Sequence, residues 1–234
     1  MNKVKVQNAL TNIKEIVKGE EVSLEITPGM DILEVNKKLA QKNMENLQKH
    51  NVKAIDIMGS IGAGKTSLIE KLVQKLKTKY RIAVFKGDLT TTIDADRIGQ
   101  YGVQVVTINT GRECHLDANV VARAVERISL QDIDLLIIEN VGNLICPAEF
   151  PLGTDKRVVV VSVTEGPYMI LKHPFTFMTA DVMVINKKDL AEIMRIDIQQ
   201  LERQAKDVKP DLKIAVTNAL NGYGVEELIK LLEL

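Results

Sequence analysis

One short segment of the chain combines residue types and spacing that suit phosphate binding. Residues 59–66 read Gly-Ser-Ile-Gly-Ala-Gly-Lys-Thr, which fits the phosphate-loop pattern of Gly, four free positions, Gly, Lys and then Ser or Thr. Glycines let the backbone turn tightly, so that its N–H groups face phosphate oxygens. We expect Lys65 to reach the β- and γ-phosphates and the Thr66 hydroxyl to bind Mg²⁺. The residues that we predict to contact a nucleotide here are Gly59, Ser60, Ile61, Gly62, Ala63, Gly64, Lys65, Thr66 and Ser67.

A second motif, Asn-Lys-Lys-Asp at residues 186–189, indicates which base the nucleotide carries. Its form, Asn-Lys-x-Asp, resembles the guanine-specificity motif of GTPases. A carboxylate at Asp189 can accept both the N1–H and the 2-amino N–H of guanine, whereas adenine offers no such pair of donors. Lys187 would lie along the base and Asn186 would brace the loop, so we expect GDP to bind far more tightly than ADP. The alternative is an ordinary charged start of a helix after a strand. The turn that would offer a backbone N–H to guanine O6 contains Asn218 and Ala219.

Polar residues at and after the predicted strands are candidates for Mg²⁺ binding and hydrolysis. Mg²⁺ prefers oxygen ligands, and the candidates in this chain are Thr66, Asp88 and Glu139. The backbone N–H of Gly142 can contact the γ-phosphate, although Ras-like GTPases have Asp-x-x-Gly where this chain has Glu-x-x-Gly. Asp94 could position water, but a solvated acid at the start of a helix is an equally good interpretation. The predicted catalytic set is Lys65, Asp88, Asp94 and Gly142.

The two cysteines of the chain, Cys114 and Cys146, form a candidate metal site together with His115. Both cysteines lie in loops that follow predicted strands, so they could converge near the nucleotide. Two thiolates and an imidazole suit Zn²⁺ or Ni²⁺. Because the side chains of adjacent residues rarely point the same way, a site shared across a two-fold axis would complete the coordination. The alternative is two half-buried cysteines that only pack, with an incidental histidine.

The composition argues against several classes of partner. Lys plus Arg equals Asp plus Glu, at 31 each, and no basic run gives the electrostatic footprint of a nucleic-acid-binding protein. The chain has no Trp and only 3% aromatic residues, which disfavours base-stacking surfaces. No apolar stretch approaches the ~20 residues that span a bilayer. The N-terminus is polar and lacks the apolar region of a signal peptide, so we expect a cytoplasmic protein that binds neither membrane nor nucleic acid.

A β-α alternation from residue 53 onward predicts the elements that position these motifs. Near-continuous Val/Ile/Leu runs suit a parallel sheet with helices on both faces. The predicted fold is therefore α/β, a doubly wound and mostly parallel sheet of about seven strands, with ligands at the carboxyl ends of the strands. We predict an N-terminal extension at residues 1–50, with a helix from Asp31 through about His50, and a P-loop GTPase domain at 51–234. In the extension, residues 4–17 have weak helical periodicity and residues 22–26 alternate like a strand. The predicted strands are 54–58, 82–86, 104–108, 135–139, 157–163, 181–185 and 213–217, and the predicted helices are 65–79, 95–101, 117–129, 196–207 and 225–232.

In their order along the chain, these motifs resemble those of the HypB family, the GTPases of nickel insertion into [NiFe]-hydrogenase. The resemblance rests on the phosphate loop, Gly-Asp at 87–88, Thr-Gly-x-x-Cys-His-Leu-Asp-Ala at 110–118, Ile-Glu-Asn-Val-Gly-Asn-Leu-x-Cys-Pro at 138–147, and Asn-Lys-x-Asp. It implies a dimerising, SIMIBI-class P-loop GTPase with a metal at a GTP-linked homodimer interface, held by residues matching Cys114, His115 and Cys146. It also implies two partners, a HypA-like nickel/zinc accessory protein and the hydrogenase large subunit.

The expected function is a GTP-hydrolysing metallochaperone that uses GTP/GDP, Mg²⁺ and Ni²⁺ or Zn²⁺. Without the water-orienting Gln of Ras-like enzymes we expect intrinsic turnover on the order of 10⁻⁴–10⁻² s⁻¹. One alternative is the urease-type nickel GTPase, UreG, whose signature is Cys-Pro-His. The others are a metal carrier whose GTP site is largely structural and a small-molecule P-loop kinase.

Overall fold

The structure, a computed structural model, describes residues 13–17, 31–88, 93–111 and 113–234. Side-chain surroundings are described from residue 31 onward, apart from residues 88 and 93. The strand predicted at residues 22–26 lies outside the described residues.

The described part of the chain contains one sheet of eight strands, and every neighbouring pair is parallel. The strands are β1 Ile13–Val17, β2 Lys53–Gly59, β3 Ile82–Asp88, β4 Gln104–Asn109, β5 Leu135–Gly142, β6 Lys156–Ser162, β7 Val182–Asn186 and β8 Lys213–Val216. Their order across the sheet is β1-β4-β3-β5-β2-β6-β7-β8. The chain therefore winds outward from β2 in both directions. The predicted doubly wound α/β class is confirmed, with one strand more than predicted.

The additional strand, β1, corrects the helical periodicity assigned to residues 4–17 over residues 13–17, and residues 4–12 lie outside the described residues. Residues Ile13–Val17 pair in parallel with Val105–Asn109 of β4 and form the edge of the sheet. The segment carries three β-branched residues in five. Weak helical spacing in so short a segment gives way to the backbone hydrogen bonds that an open sheet edge offers.

Helices cover both faces of the sheet. Their bounds are α1 Ile32–Lys49, α2 Lys65–Leu76, α3 Ile93–Gly99, α4 Ala118–Val125, α5 Cys146–Glu149, α6 Met169–Lys172, α7 Pro174–Met178, α8 Ile198–Val208 and α9 Val225–Leu231. On one face, α2, α3 and α9 bury residues such as Leu72, Ile98 and Leu228 against the strands. On the other, α1 and α4 cover one half of the sheet, and α6, α7 and α8 cover the rest. The six longer helices were predicted, whereas α5, α6 and α7 were not.

The N-terminal helix α1 begins where the sequence predicts. Asp31 is its N-cap, and its carboxylate accepts a hydrogen bond from the Leu33 N–H at 3.0 Å. The helix packs mainly against α4 and buries Leu47. None of the helices in the described residues is long and apolar enough to cross a membrane.

Candidate nucleotide and metal sites

The phosphate loop joins the end of β2 to the start of α2. Gly64 is the N-cap of α2 and has φ of 100°, a left-handed conformation that side chains rarely adopt. A Cβ atom on Gly64 would lie 2.2 Å from Asn186 Nδ2, and one on Gly59 would lie 2.3 Å from the Val160 carbonyl oxygen. The backbone therefore passes so close to its neighbours that only glycine fits at these two positions.

Lys65 is buried beneath this loop. Its ammonium donates to the carbonyl oxygens of Gly59 at 2.8 Å and Ser60 at 3.0 Å. Burial lowers the pKa of Lys65, while the nearby charge of Glu139 acts in the opposite direction. The amine lines a cavity of about 470 Å³ together with Thr66, Ser67 and other loop residues. A larger cavity of about 660 Å³ lies at the opposite end of the strands, near Tyr80 and Tyr101, away from the candidate site residues.

A buried cluster of opposite charges forms the floor of the nucleotide cavity. The Thr66 hydroxyl donates to Glu139 Oε1 at 2.7 Å and lies 3.4 Å from Asp94 Oδ2. Lys86 Nζ lies 2.9 Å from Glu139 Oε1 and 3.5 Å from Asp94 Oδ2. Glu139 Oε2 is buried without a hydrogen-bond partner among the described residues. Thr66, Glu139 and Asp94 were predicted from the sequence, whereas Lys86, which follows four apolar residues on β3, was not.

This oxygen set fits a divalent cation. A hydroxyl and two carboxylates converge, one carboxylate oxygen has no partner within the part of the chain that the structure describes, and Mg²⁺ favours such ligands. Lys86 already supplies a positive charge at the same place, so a cation would share the carboxylates with an ammonium. Asp88 is the last residue of β3, and its side chain lies outside the described residues.

Helix α3 adds an arginine that the sequence analysis missed. Arg97 donates to both oxygens of Glu70, at 3.1 and 2.8 Å, and to Asp94 Oδ1 at 3.0 Å. It also lines the nucleotide cavity. Asp94 lies in the first turn of this helix, so Arg97 fixes its carboxylate from one side while Lys86 approaches it from another.

The Asn-Lys-x-Asp motif meets the phosphate loop through Asn186. Its amide donates to the Ala63 carbonyl oxygen at 2.9 Å, and its Oδ1 accepts from the Thr217 hydroxyl at 3.1 Å and the Ala219 N–H at 3.0 Å. Asn186 therefore joins the phosphate loop to the loop after β8. Lys187 has φ of 60° and lines the cavity.

The two remaining base-site candidates differ in what they contact. Asp189 is exposed, on the short 3₁₀ turn Lys188–Leu190. The Asn218 side chain is buried and accepts a hydrogen bond from the Leu220 N–H at 2.9 Å, so it holds its own loop. The guanine contacts assigned to both residues stay predictions.

The γ-phosphate candidate Gly142 touches the phosphate loop directly. A Cβ atom on Gly142 would lie 2.4 Å from Ile61 Cγ1, and Asn143 forms a backbone bridge with Gly59. Asn143 also accepts the Ile145 N–H at 2.9 Å, which turns the chain into α5. The chain at the end of β5 therefore contacts the phosphate loop at Gly142 and reaches Cys146 four residues later.

Cys114, His115 and Cys146 come together at the carboxyl end of the sheet. One potential ligand atom from each residue lies within 4.8 Å of the other two. The two sulfur atoms are 2.9 Å apart and both cysteines are free thiols. His115 Nδ1 lies 3.9 Å from Cys114 Sγ, and its ring packs 4.0 Å from that of Phe150. The bend at residues 114–115 lets adjacent side chains face one point, which the sequence analysis did not expect.

Two buried asparagines of α1 hold both cysteine-bearing segments. Asn36 donates to the Pro151 carbonyl oxygen at 2.9 Å and accepts the Ala118 N–H at 2.8 Å. Asn43 donates to the carbonyl oxygens of Ala118 at 2.8 Å and Leu152 at 3.0 Å. Each amide therefore links the segment after Cys114 to the segment after Cys146. The helical spacing of α1 gave no sign of this role, although two asparagines seven residues apart on one helix face are a usable signal.

The pKa of the Cys146 thiol is raised. The main cause is its hydrogen bond with Cys114, and burial adds to it. A thiolate is the form that binds a metal, so occupation of this site would require loss of the proton from Cys146. Three soft or borderline donors in contact suit Ni²⁺ or Zn²⁺ better than Mg²⁺.

The parallel sheet, the phosphate loop after β2 and the Asn-Lys-x-Asp turn after β7 define a P-loop nucleotide-binding domain. The family model described as "CobW/HypB/UreG, nucleotide-binding domain" matches residues 53–216. Within that class the chain belongs to the HypB family of hydrogenase maturation factors.

The relatives agree in sequence and in structure. A HypB protein of Methanocaldococcus jannaschii is 51% identical over 203 residues, which cover 87% of this chain and 92% of that protein. The crystal structure of HypB from Archaeoglobus fulgidus has a TM-score of 0.80 and 43% identity, over 86% of this chain and 98% of that one. The structure of HypB from Helicobacter pylori, described as in complex with nickel, also has a TM-score of 0.80, with 33% identity over 85% of this chain and 94% of that one.

Proposed function

We propose that this chain is a GTP-hydrolysing metallochaperone that carries nickel, or zinc, for the maturation of [NiFe]-hydrogenase. The observation that carries the proposal is the meeting of Cys114, His115 and Cys146 within 4.8 Å, in a fold whose phosphate loop contacts Gly142, four residues before Cys146. A relative of the same fold is described as in complex with nickel, which supports the choice of metal.

The nucleotide part of the proposal assigns a task to each residue of the cavity. Lys65 turns from the carbonyl oxygens of its own loop to the β- and γ-phosphates when a nucleotide enters. Thr66, Glu139 and Asp94 hold Mg²⁺, with Asp88 as a further candidate ligand. Mg²⁺ bound there would neutralise charge that develops on the phosphate oxygens during transfer to water. Gly142 offers its backbone N–H to the γ-phosphate.

The base part of the proposal rests on the position of Asn186. Its amide fixes the phosphate loop and the loop after β8 to each other, so the motif that contains Asp189 keeps a constant distance from the phosphates. Asp189 then pairs with guanine, and Lys187 covers the base. GTP is therefore the proposed nucleotide.

The metal is cargo in this proposal. Hydrolysis removes the contact between Gly142 and the γ-phosphate, and Cys146 lies four residues further along the same segment. A change at Gly142 would then reach the cysteine loop and alter metal affinity. Each chain offers three ligands, so a homodimer that joins two such sites would complete the coordination. The proposed partners are a HypA-like accessory protein and the hydrogenase large subunit.

A nickel titration tests the proposal. Ni²⁺ is titrated into the wild type and into Cys114→Ala/Cys146→Ala, each loaded with GDP or a non-hydrolysable GTP analogue, while light scattering reports mass. His115→Ala is titrated in the same way, with His50→Ala as its matched control, because His50 is the C-cap of α1 just before β2 begins, at the end of the sheet opposite the cysteine loops. We expect tight binding that needs both cysteines and His115, changes with the nucleotide and accompanies dimer formation. Equal weak binding in all four protein and nucleotide combinations would remove the nickel assignment and leave a nucleotide-binding protein with two structural cysteines.

A further inference from the structure

We propose that two buried side chains, Asp56 and Asn140, together with the partly exposed Arg157, connect the nucleotide site to both cysteine-bearing loops and transmit the state of one to the other. This inference rests on the proposed function, because it assumes that a nucleotide and a metal bind at the two sites. It adds the residues through which they are coupled. None of the three belongs to the predicted site residues.

Asn140 is the first connection. It follows Glu139 on β5, and neighbouring residues of a strand face opposite sides of the sheet. Glu139 therefore contacts Thr66 on the nucleotide side, whereas the Asn140 side chain lies on the other side. There the Asn140 Oδ1 accepts hydrogen bonds from the Leu116 N–H at 3.1 Å and from the N–H of the next residue, Val141, at 3.0 Å. Leu116 is adjacent to His115, so the Cys114 loop is fastened to the strand that carries Glu139.

Arg157 is the second connection. It lies on β6 directly opposite Asp56 of β2. Its guanidinium donates to the Ala148 carbonyl oxygen at 3.2 Å and to that of Pro147. These carbonyls belong to the helical turn that begins at Cys146. The second cysteine loop is therefore fastened to β6, beside the strand that leads into the phosphate loop.

Asp56 joins the two connections. It is completely buried on β2, three residues before Gly59. Its Oδ1 accepts from the Asn140 amide at 3.2 Å, and its Oδ2 lies 3.5 Å from Arg157 Nε. Burial raises the pKa of Asp56 against the opposing charge of Arg157. One carboxylate thus faces the residue that holds the Cys114 loop and the residue that holds the Cys146 loop.

The contact between Asp56 and Arg157 can exist in two arrangements. Asp56 Oδ2 and Arg157 Nε are both buried and both lack a hydrogen-bond partner among the described residues. A shift of a few tenths of an ångström would bring them into a charge-assisted hydrogen bond, which is strongest below about 2.9 Å. Such a shift would move the guanidinium that also donates to the Pro147 and Ala148 carbonyls. A movement of β2 against β6 would therefore be felt at Cys146.

Three variants separate transmission from simple support. Asn140→Ala removes the acceptor of the Leu116 N–H. Arg157→Lys keeps a positive charge beside Asp56 but lacks the fork that reaches both carbonyls, so it covers the case in which Asn140→Ala does not fold. Asn43→Ala is the matched control, because Asn43 also links the segments after the two cysteines, while its side-chain hydrogen bonds among the described residues reach Ala118 and Leu152 rather than β2 or β5. Thermal unfolding checks that each variant is folded.

The first measurement is the ratio of Ni²⁺ affinities in the GDP and GTP-analogue states. Coupling between sites is commonly about 5- to 150-fold, and we expect the wild type in that range. Asn140→Ala and Arg157→Lys should bring the ratio to within about two-fold of one. Asn43→Ala should lower both affinities by the same factor and keep the wild-type ratio. A wild-type ratio retained in both Asn140→Ala and Arg157→Lys overturns the inference.

The second measurement needs no metal, so it separates this inference from the nickel assignment. Amide hydrogen exchange of residues 113–118 is compared between GDP and GTP-analogue states of the metal-free protein. We expect a nucleotide-dependent change of the Leu116 amide in the wild type and in Asn43→Ala, and its loss in Asn140→Ala. If the Leu116 amide shows this nucleotide-dependent change in exchange but the protein binds no nickel, the connection through Asn140 is supported and only the nickel assignment is refuted. Exchange that ignores the nucleotide in the wild type overturns the connection itself.

Discussion

Replacement of Lys86 by methionine should make the protein depend on Mg²⁺ for its stability. Lys86 Nζ lies 2.9 Å from Glu139 Oε1, and the side chains of both residues are at most 5% exposed. Lys86→Met keeps most of the side-chain volume and removes the charge. Glu139 is then a buried carboxylate that keeps the hydrogen bond from the Thr66 hydroxyl and the more distant charge of Lys65, but has lost its ion pair.

The structure sets the size of the effect. Two unit charges 2.9 Å apart attract by ~6 kcal/mol at an effective dielectric constant of 20. Much of that is offset by the desolvation of both groups, and removal of one partner of a buried pair costs about 3–5 kcal/mol. For a chain of this size 1 kcal/mol corresponds to about 2–4 °C. We therefore expect the variant with GDP and EDTA to unfold roughly 6–20 °C below the wild type.

Mg²⁺ should reverse most of this loss, because it supplies the positive charge that the variant lacks. Thermal unfolding with GDP is measured over a range of Mg²⁺ concentrations. The Mg²⁺ concentration that gives half of the stabilisation should be at least ~10-fold lower in the variant than in the wild type. The Lys86 ammonium competes with Mg²⁺ in the wild type, and ~1.4 kcal/mol of such competition corresponds to a ten-fold difference in affinity. Lys75→Met is the control, because Lys75 pairs with Glu226 at the surface, where a pair contributes about 0–1 kcal/mol. A Lys86→Met protein with wild-type unfolding in EDTA and a wild-type response to Mg²⁺ would refute the reasoning.

Three further predictions concern the nucleotide and the metal. Asp189→Asn should weaken GDP binding by about 10- to 100-fold, because about 1.5–3 kcal/mol of charge-assisted hydrogen bonding is lost. ADP binding, measured by the same direct titration, should not change. Comparable affinities of the wild type for GDP and ADP would count against the guanine assignment of the motif. Lys65→Ala should remove measurable GTP turnover while the unfolding temperature shows a folded protein, and normal phosphate release would overturn the mechanism. The raised pKa of Cys146 means that its thiol is protonated at neutral pH, so Ni²⁺ binding must release a proton. Affinity for Ni²⁺ should therefore rise with pH, by about ten-fold per pH unit for each proton released, and an affinity that is constant from pH 6 to 8 would contradict that order of events.

The fold was predictable because its signals are long and repeated. Six of the eight strands, β2 to β7, are largely buried on both faces and appear as apolar runs separated by helical periodicity. The edge strand β1 was missed because an edge needs no apolar run, and its partner β4 lies some ninety residues away in the sequence. Helices α6 and α7 were missed because four or five residues complete little more than one turn, too few for a period to be seen.

The candidate site was predictable only where a motif fixes both residue type and spacing. The phosphate loop and Asn-Lys-x-Asp satisfy this condition, and the cysteine loops come close to it. Lys86, Asp56 and Asn140 do not, because Lys86 and Asp56 belong to runs that predict buried strands and Asn140 directly follows such a run. Asp56 interrupts an apolar run, and a charged residue at such a position either pairs or is costly. The free-energy cost of burying an unpaired polar group could have indicated that all three residues have partners. Which partner each residue has depends on the order of the strands in the sheet, which the sequence does not state.

The energetics of the buried pair argue that it does more than hold the sheet. Asp56 and Arg157 lie opposite each other on β2 and β6. Two apolar side chains at these positions would pack without the free-energy cost of desolvating charged groups. Buried ion pairs with incomplete hydrogen bonding are often less stable than apolar replacements, by about 1–4 kcal/mol. Among the described residues, each of the two charged groups has one atom without a hydrogen-bond partner, so the pair lies at the unfavourable end of that range. The double variant Asp56→Leu/Arg157→Met should therefore be at least as stable as the wild type in thermal unfolding. Its Ni²⁺ affinity, however, should no longer change with the bound nucleotide. A large loss of stability would instead mean that the pair is a structural support, and the coupling would have to run through the Gly142–Cys146 segment alone.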